Sequence, residues 1–134
     1  MMEGYASWDY KSPGISFSLQ AGRIVIFRTT LEALDYPEYY RFLFNPENRL
    51  FAMQICGIDD EGAHRLPKMD PEGSCEIKSK GLVRLVYQIC GWKKELTYRI
   101  PGSHIPGERL VNYDLADALE VYQGQLIEPK KNKQ

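Results

Sequence analysis

The sequence predicts an α+β protein in which a β-rich N-terminal module with hairpins and a short helix is followed by an amphipathic helix and further antiparallel strands. Three observations predict this class. Apolar residues alternate with polar ones at several points between residues 15 and 56, they recur at helical spacing after Ser79, and strand-like segments resume after residue 95. With 134 residues, of which 43% are apolar, the chain is long enough to bury one core.

The predicted organisation has five parts. They are an aromatic N-terminal arm (1–14), a β module (15–56), a loop (57–74), a helix-plus-strands part (75–122) and a charged tail (123–134). The loop contains three glycines and two prolines, so a boundary is expected there. The 75–122 part either continues the same domain or forms a second one.

The β module begins with a predicted hairpin and a short helix. In "ISFSL" the apolar Ile15, Phe17 and Leu19 alternate with serines, which is typical of a half-buried strand, and a turn leads into a second strand, "RIVIF". Thr29 and Glu32 have the spacing of a capping box, which predicts a helix at about 30–35. That helix must end before Pro37, because the residue preceding a proline avoids the α region.

A second hairpin is the strongest local prediction. "YYRFLF" and "RLFAMQI" flank the turn sequence "NPEN", whose asparagine and proline suit the first and second positions of a β-turn. The alternation places Tyr40, Phe42 and Phe44 on one face and makes a second set available to a core: Phe51, Met53 and Ile55.

The C-terminal part is predicted to contain one helix and several short elements. A brief strand is expected around His64–Leu66 within the loop. Ser79 can cap a helix whose Leu82, Leu85, Val86 and Ile89 share one face, and Gly91 can end it. "ELTYRI" and "RLVNY" read as strands separated by "PGSHIPGE". Asp114 is expected to cap a last helical turn at Leu115–Val121.

Composition excludes several classes of function. The sequence has 17 basic and 18 acidic residues, so its net charge of −1 provides no global attraction to nucleic acid. Any nucleic-acid binding must therefore depend on a local patch. No apolar stretch approaches the roughly 20 residues of a spanning helix, and the N-terminus lacks a signal pattern. We therefore expect a soluble, cytoplasmic protein with no membrane partner.

The cysteines and histidines form no recognisable chemical motif. Cys56, Cys75 and Cys90 are odd in number and widely spaced, which is typical of reduced thiols used in packing. Together with His64 they lack the closely spaced ligand pairs of structural zinc sites, so no metal site and no cofactor are expected. Neither His64 nor His104 accompanies a nucleophile motif, so we expect no enzyme.

The order of elements carries a resemblance to a known family. A turn, "GRIVI", one short helix, "YYRFLF", "NPEN" and "RLFAMQI" follow one another over Ser18–Cys56, and this order resembles the AbrB/MazE-type swapped-hairpin DNA-binding domains. The resemblance implies that two chains interleave their hairpins into a homodimer and that a basic face lies on double-stranded DNA. By position, it implies DNA contacts for Arg23 and Arg28. Alternatively, both arginines are ordinary surface charges at strand ends.

The aromatic cluster suggests a second surface. Tyr36, Tyr39, Tyr40 and Phe42 supply large apolar areas, mostly with a polar tip, as interfaces favour, although a core-lining strand would look the same. The function expected from the resemblance is a small non-enzymatic DNA-binding or transcription-regulatory protein. The alternative is a protein–protein interaction or scaffold module without nucleic-acid binding.

Overall fold

The computed structural model describes residues 12–122 and 125–127, so most of the predicted arm and tail lies outside the described residues. The described chain forms two α-helices, α1 and α2, and ten strands, β1 to β10. In chain order they are β1 Gly14–Ser18, β2 Arg23–Ile26, α1 Arg28–Ala33, β3 Tyr39–Asn45, β4 Leu50–Ile55, β5 His64–Arg65, β6 Cys75–Lys78, α2 Lys80–Cys90, β7 Thr97–Ile105, β8 Leu110–Asp114, β9 Leu119–Tyr122 and β10 Gln125–Leu126. Single 3₁₀ turns cover Pro106–Glu108 and Leu115–Asp117.

The strands form one antiparallel sheet that curls into a half-barrel. Their order is β5-β3-β4-β8-β7-β1-β2-β6, and β9 pairs with β7 and with β10. This confirms a strand-rich, mixed architecture with two helices. Strands β7 and β8 lie between β4 and β1, so the 75–122 part shares a sheet with the 15–56 part. In the described part of the chain, no helix is long and apolar enough to cross a membrane.

The first hairpin is confirmed, whereas the predicted capping box is wrong. Strands β1 and β2 pair with Phe17 opposite Ile24. Helix α1 has Phe27 at its N-cap and no side-chain cap bond, so Thr29 lies inside the helix. The neighbouring Thr30 is fully buried and bonds to Gly14 instead, because β2 ends at Ile26 and leaves that glycine's polar groups facing α1.

The second hairpin and its facing are confirmed. Tyr40 pairs with Ile55, Phe42 with Met53 and Phe44 with Phe51, so the six predicted side chains share one face. The Asn45 side chain accepts a hydrogen bond from the Asn48 amide and closes the turn. Phe51 lies at the centre of the core, with ring centroids 5.2 Å from Phe17 and 5.0 Å from Phe42. The brief strand at His64 is also confirmed.

Helix α2 occurs where predicted, but a different stripe of it is buried. Its N-cap is Ser79, without a side-chain bond, and Gly91 ends it with φ 64°. Val83, Val86 and Tyr87 are buried, whereas the predicted core residue Leu85 is 42% exposed. Both sets of residues are apolar and have helical spacing, so periodicity alone does not predict which set is buried. The ring of Tyr87 packs inside the sheet, and this contact turns the Val83, Val86 and Tyr87 side of α2 towards the core.

Two C-terminal predictions are wrong for a common reason. Strand β7 continues through Pro101 and Gly102, where a turn was expected, since its first half pairs with β1 and its second half with β8. Asp114 does cap a helical turn, accepting from the Ala116 amide at 3.0 Å, but the turn stops at Asp117. The following residues pair with β7 as β9. In each case a distant strand overrides local turn or helix propensity.

Candidate functional site

The two arginines implied by the resemblance begin consecutive elements, Arg23 the strand β2 and Arg28 the helix α1. Arg23 Nη1 is 3.1 Å from Glu76 Oε2 on β6, and both side chains are partly exposed. Arg28 Nε is 3.5 Å from Glu32 Oε2, and its aliphatic part lies against Gly73. Each guanidinium therefore has a carboxylate partner, which reduces the positive potential it presents to solvent.

Positive charge is concentrated elsewhere in the chain. Residues 78–94 contain five of the 17 basic residues and none of the 18 acidic ones. This segment spans the end of β6, the whole of α2 and the turn that follows. Its basic residues are Lys78, Lys80, Arg84, Lys93 and Lys94.

The fold aligns most of these cations with Arg23. Lys80 and Arg84 are four residues apart on the exposed side of α2, about 6 Å along its axis. The Lys80 stem covers Gly22, where an added Cβ would come within 2.6 Å of Lys80 Cγ. Arg23 follows Gly22 and pairs in register with Lys78. We call Arg23, Lys78, Lys80, Arg84 and Lys94 the basic strip.

Most of the basic strip carries uncompensated charge. Among the described residues, Lys78, Lys80, Arg84 and Lys94 have no carboxylate within 4.0 Å. Arg23 is the exception, through Glu76. Lys93, which lies outside the strip, is 3.9 Å from Glu120. Four free cations that follow one another along a helix and its flanks make a local anion-attracting surface on a chain of net charge −1.

The far end of the basic strip borders a cleft of about 510 Å³, which we call the Trp92 cleft. Among the described residues, its lining combines apolar, amide and cationic groups without a carboxylate: Leu19, Arg84, Tyr87, Gln88, Gly91, Trp92 and Lys94. The Trp92 ring stacks on Tyr98 with centroids 4.3 Å apart and an interplanar angle of 15°. Tyr87 meets Trp92 at nearly a right angle, at 5.2 Å.

Hydrogen bonds hold these aromatic rings in place. The Tyr87 hydroxyl lies 2.5 Å from the Leu96 carbonyl oxygen and 3.1 Å from that of Phe17, so its single proton is shared between two acceptors. Burial raises the pKa of Tyr87 to about 12, which keeps this donor neutral. The Tyr98 hydroxyl accepts from the Lys93 amide at 2.9 Å. Trp92 is thus supported by two rings that are themselves anchored.

Two further cavities lie near other elements. One of about 380 Å³ adjoins the other side of Gly91 and Trp92 and includes Cys90, Lys93 and Glu120. The second, of about 340 Å³, lies between the two edges of the half-barrel and includes Tyr40, His64 and Lys78. The first of these cavities contains an acidic residue, Glu120, and the second has a single lysine among its described residues, whereas Arg84 and Lys94 both line the Trp92 cleft.

The thiols lack the features of reactive groups. Cys56, Cys75 and Cys90 are free. Burial raises the pKa of each, which favours the thiol over the nucleophilic thiolate. Within the described ranges, no three His, Cys, Asp or Glu side chains come together in a way that could hold a metal ion.

The aromatic residues expected at an interface do not form one exposed surface. Tyr36 is 44% exposed and has φ 52°. The Tyr39 hydroxyl accepts from Arg65 Nη2 at 2.6 Å, with the Arg65 guanidinium over its ring. Tyr40 is 3% exposed, and its ring packs edge-on against Phe42, which packs in turn on Phe51. Tyr40 and Phe42 therefore contribute to the core of their own chain.

Sequence reasoning missed the basic strip and the Trp92 cleft. The available signal was the acid-free run of 78–94, which ends in a tryptophan followed by two lysines. Comparison of the chain with protein-family models, with curated proteins and with solved structures found no match. Function must therefore be inferred from the site, because a fold alone does not determine it.

Proposed function

We propose that the chain is a small non-enzymatic DNA-binding protein that contacts phosphates through the basic strip. The observation that carries the proposal is the concentration of five basic and no acidic residues in 78–94, on one helix and its flanks. Lysine and arginine contacts to phosphate dominate DNA affinity and require no net positive charge on the whole protein.

The arrangement of the basic strip supports this proposal. Lys80 and Arg84 are exposed on the outer side of α2, whose inner side is held by Val83, Val86 and Tyr87. Their ammonium and guanidinium groups reach solvent, and no carboxylate in the described part of the chain lies within 4.0 Å of them. Because the rest of the chain carries an excess of acid, it repels phosphate and leaves α2 as the side that DNA approaches.

The resemblance contributes two finer proposals. A homodimer would place two copies of the basic strip on one duplex, doubling the phosphate contacts, and would suit a transcription regulator. Arg28 would add a contact only after separating from Glu32. Light scattering after size-exclusion chromatography measures the first, and an Arg28→Ala variant measures the second.

The decisive experiment is a fluorescence-anisotropy titration of a labelled mixed-sequence duplex at several salt concentrations between about 50 and 200 mM. We expect binding that weakens with salt. The Arg84→Ala/Lys94→Ala variant should reduce the slope of log K against log salt by about 1.8, since each lost phosphate contact contributes about 0.9. Arg23→Ala, tested alone, should reduce it by less, because Glu76 already neutralises part of that charge.

The matched control is Lys68→Ala/Arg109→Ala, which removes the same charge from exposed positions outside the basic strip that, among the described residues, also have no carboxylate within 4.0 Å. This variant should bind as the unmodified protein does. Equal losses in both double variants would show that only net charge matters and would contradict the assignment of the strip. Absence of binding at the lowest salt would reject DNA binding and favour a protein–protein interaction module.

A further inference from the structure

We infer that the Trp92 cleft receives an unpaired nucleobase, so that the protein prefers single-stranded DNA to a duplex. The inference rests on the proposed function and names the form of DNA that the site recognises. It depends on three features of the cleft: its size and lining, the rigidity of Trp92, and the cations that continue away from it.

The size and lining suit a base. The volume of about 510 Å³ lies within the roughly 300–1,000 Å³ that is typical of small-molecule sites. Leu19 and Trp92 supply apolar surface to the cleft, and the Gln88 amide supplies one acceptor and two donors for the polar edge of a base. Stacking of bases on aromatic side chains is the usual means of binding single strands without strict sequence preference.

The rigidity of Trp92 reduces the entropic cost of binding. One face of the indole is already occupied by Tyr98, and Tyr87 meets the ring at nearly a right angle. Both tyrosine hydroxyls are held by backbone groups. A ligand that contacts Trp92 therefore does not have to fix a mobile side chain, and preorganisation of this kind increases affinity.

The position of the cations favours a strand over a single nucleotide. Arg84 and Lys94 line the cleft, where they can contact the phosphates beside a bound base. Lys80 lies one helical turn further along α2, and Lys78 and Arg23 continue in the same direction. A free nucleotide would leave this part of the basic strip unused. In a duplex the bases are already stacked and paired, so entry into the cleft would require unpairing.

Tryptophan fluorescence provides a direct test. The chain has two tryptophans, so Trp8→Phe leaves Trp92 as the only one. This variant is titrated with three ligands: an oligothymidylate of about 12 nucleotides, within the roughly 4–16 that single-strand sites cover, a blunt duplex of the same length, and thymidine monophosphate. We expect the oligothymidylate to quench Trp92 at concentrations at which the other two do not.

Two variants of the unmodified chain complete the test. Trp92→Leu should lower oligothymidylate affinity roughly 5- to 150-fold, the range measured for loss of one stacked base, and leave duplex affinity within about twofold. Gln88→Ala changes an exposed side chain that the fold does not need, so a selective loss of oligothymidylate affinity in this variant supports the cleft even if Trp92→Leu fails to fold.

The outcomes separate this inference from the proposed function. Two results would overturn the base site and leave DNA binding intact. In the first, the duplex quenches Trp92 as strongly as the oligothymidylate does. In the second, neither DNA quenches Trp92, although both change the anisotropy. Equal quenching by thymidine monophosphate would overturn the preference for a strand. Failure of every DNA to change the anisotropy at low salt would reject the proposed function itself.

Discussion

The hydroxyl of Thr30 joins α1, β1 and β8 through three hydrogen bonds. Its Oγ1 lies 2.9 Å from Gly14 N, 2.8 Å from Gly14 O and 2.8 Å from the Tyr113 hydroxyl. A threonine hydroxyl has one proton, and the Gly14 carbonyl takes it. Tyr113 must therefore donate to Thr30, although the distance alone would allow either direction. All of these atoms are buried.

Replacement of Thr30 by valine keeps the shape of the side chain and removes this junction. The Gly14 carbonyl retains a bond from the Phe27 amide at 3.1 Å, but the Gly14 N–H and the Tyr113 O–H lose their partner. Each buried donor left unpaired costs about 1–3 kcal/mol, so the expected loss in free energy of unfolding is about 4 kcal/mol. For a domain of this size that lowers Tm by roughly 10–20 °C.

Urea denaturation of Thr30→Val, Tyr113→Phe and the double variant tests this reasoning. Tyr113→Phe alone should cost about 1 kcal/mol, because Thr30 keeps its bonds to Gly14. The double variant should cost no more than Thr30→Val, since the phenylalanine leaves no orphaned hydroxyl. Thr30→Ser, which retains the hydroxyl, is the control. A Thr30→Val change below about 0.5 kcal/mol, or strictly additive effects, would refute the proposed network.

Other measurements follow from the helix end and the buried tyrosines. Gly91 has φ 64° and open space around it, so Gly91→Ala should lower the free energy of unfolding by about 1 kcal/mol through backbone strain alone. Gly81→Ala, inside α2, should raise the free energy of unfolding by about 0.5–1 kcal/mol. Thermal unfolding of the two variants measures both changes. Burial raises the pKa of Tyr40 and of Tyr87 from 10.0 to about 12. The tyrosines of the unfolded chain therefore ionise first, so the free energy of unfolding should fall as pH rises from 10 towards 12, by about 1.4 kcal/mol per pH unit for each tyrosine. Urea denaturation at a series of pH values measures this dependence. In the Tyr87→Phe variant, the free energy of unfolding should depend less steeply on pH.

The elements that could be predicted are those specified by neighbouring residues. The β3–β4 hairpin has its turn residues and alternation within 17 positions, and its register follows from them. The termination of α2 at Gly91 is similarly local. Strand β6, by contrast, alternates apolar and charged residues over only four positions, and it forms because β2 offers an edge to it.

The candidate site was only partly predictable for the same reason. The resemblance implies a DNA contact for Arg23, which follows Gly22, but it implies none for the lysines that the fold places beside Arg23. Its neighbours Lys78 and Lys80 join it through the pairing of β2 with β6 and the contact of Lys80 with Gly22, which link residues more than fifty positions apart. Charge composition reveals the 78–94 segment, but only the fold shows which surface it forms.

The place of β7 in the sheet has a consequence for folding during synthesis. Phe17 of β1 pairs with Tyr98 of β7, and Phe51 of β4 pairs with Tyr113 of β8. These partners are about 60 to 80 residues apart, a separation that slows folding because long loops must close before the contacts form. At the usual elongation rate of about 5–20 residues per second, the edge of β1 stays unpaired for roughly 4–16 seconds until β7 has been synthesised. The sheet of the nascent chain is therefore completed only after β7 and β8, in the second half of the sequence, have been synthesised.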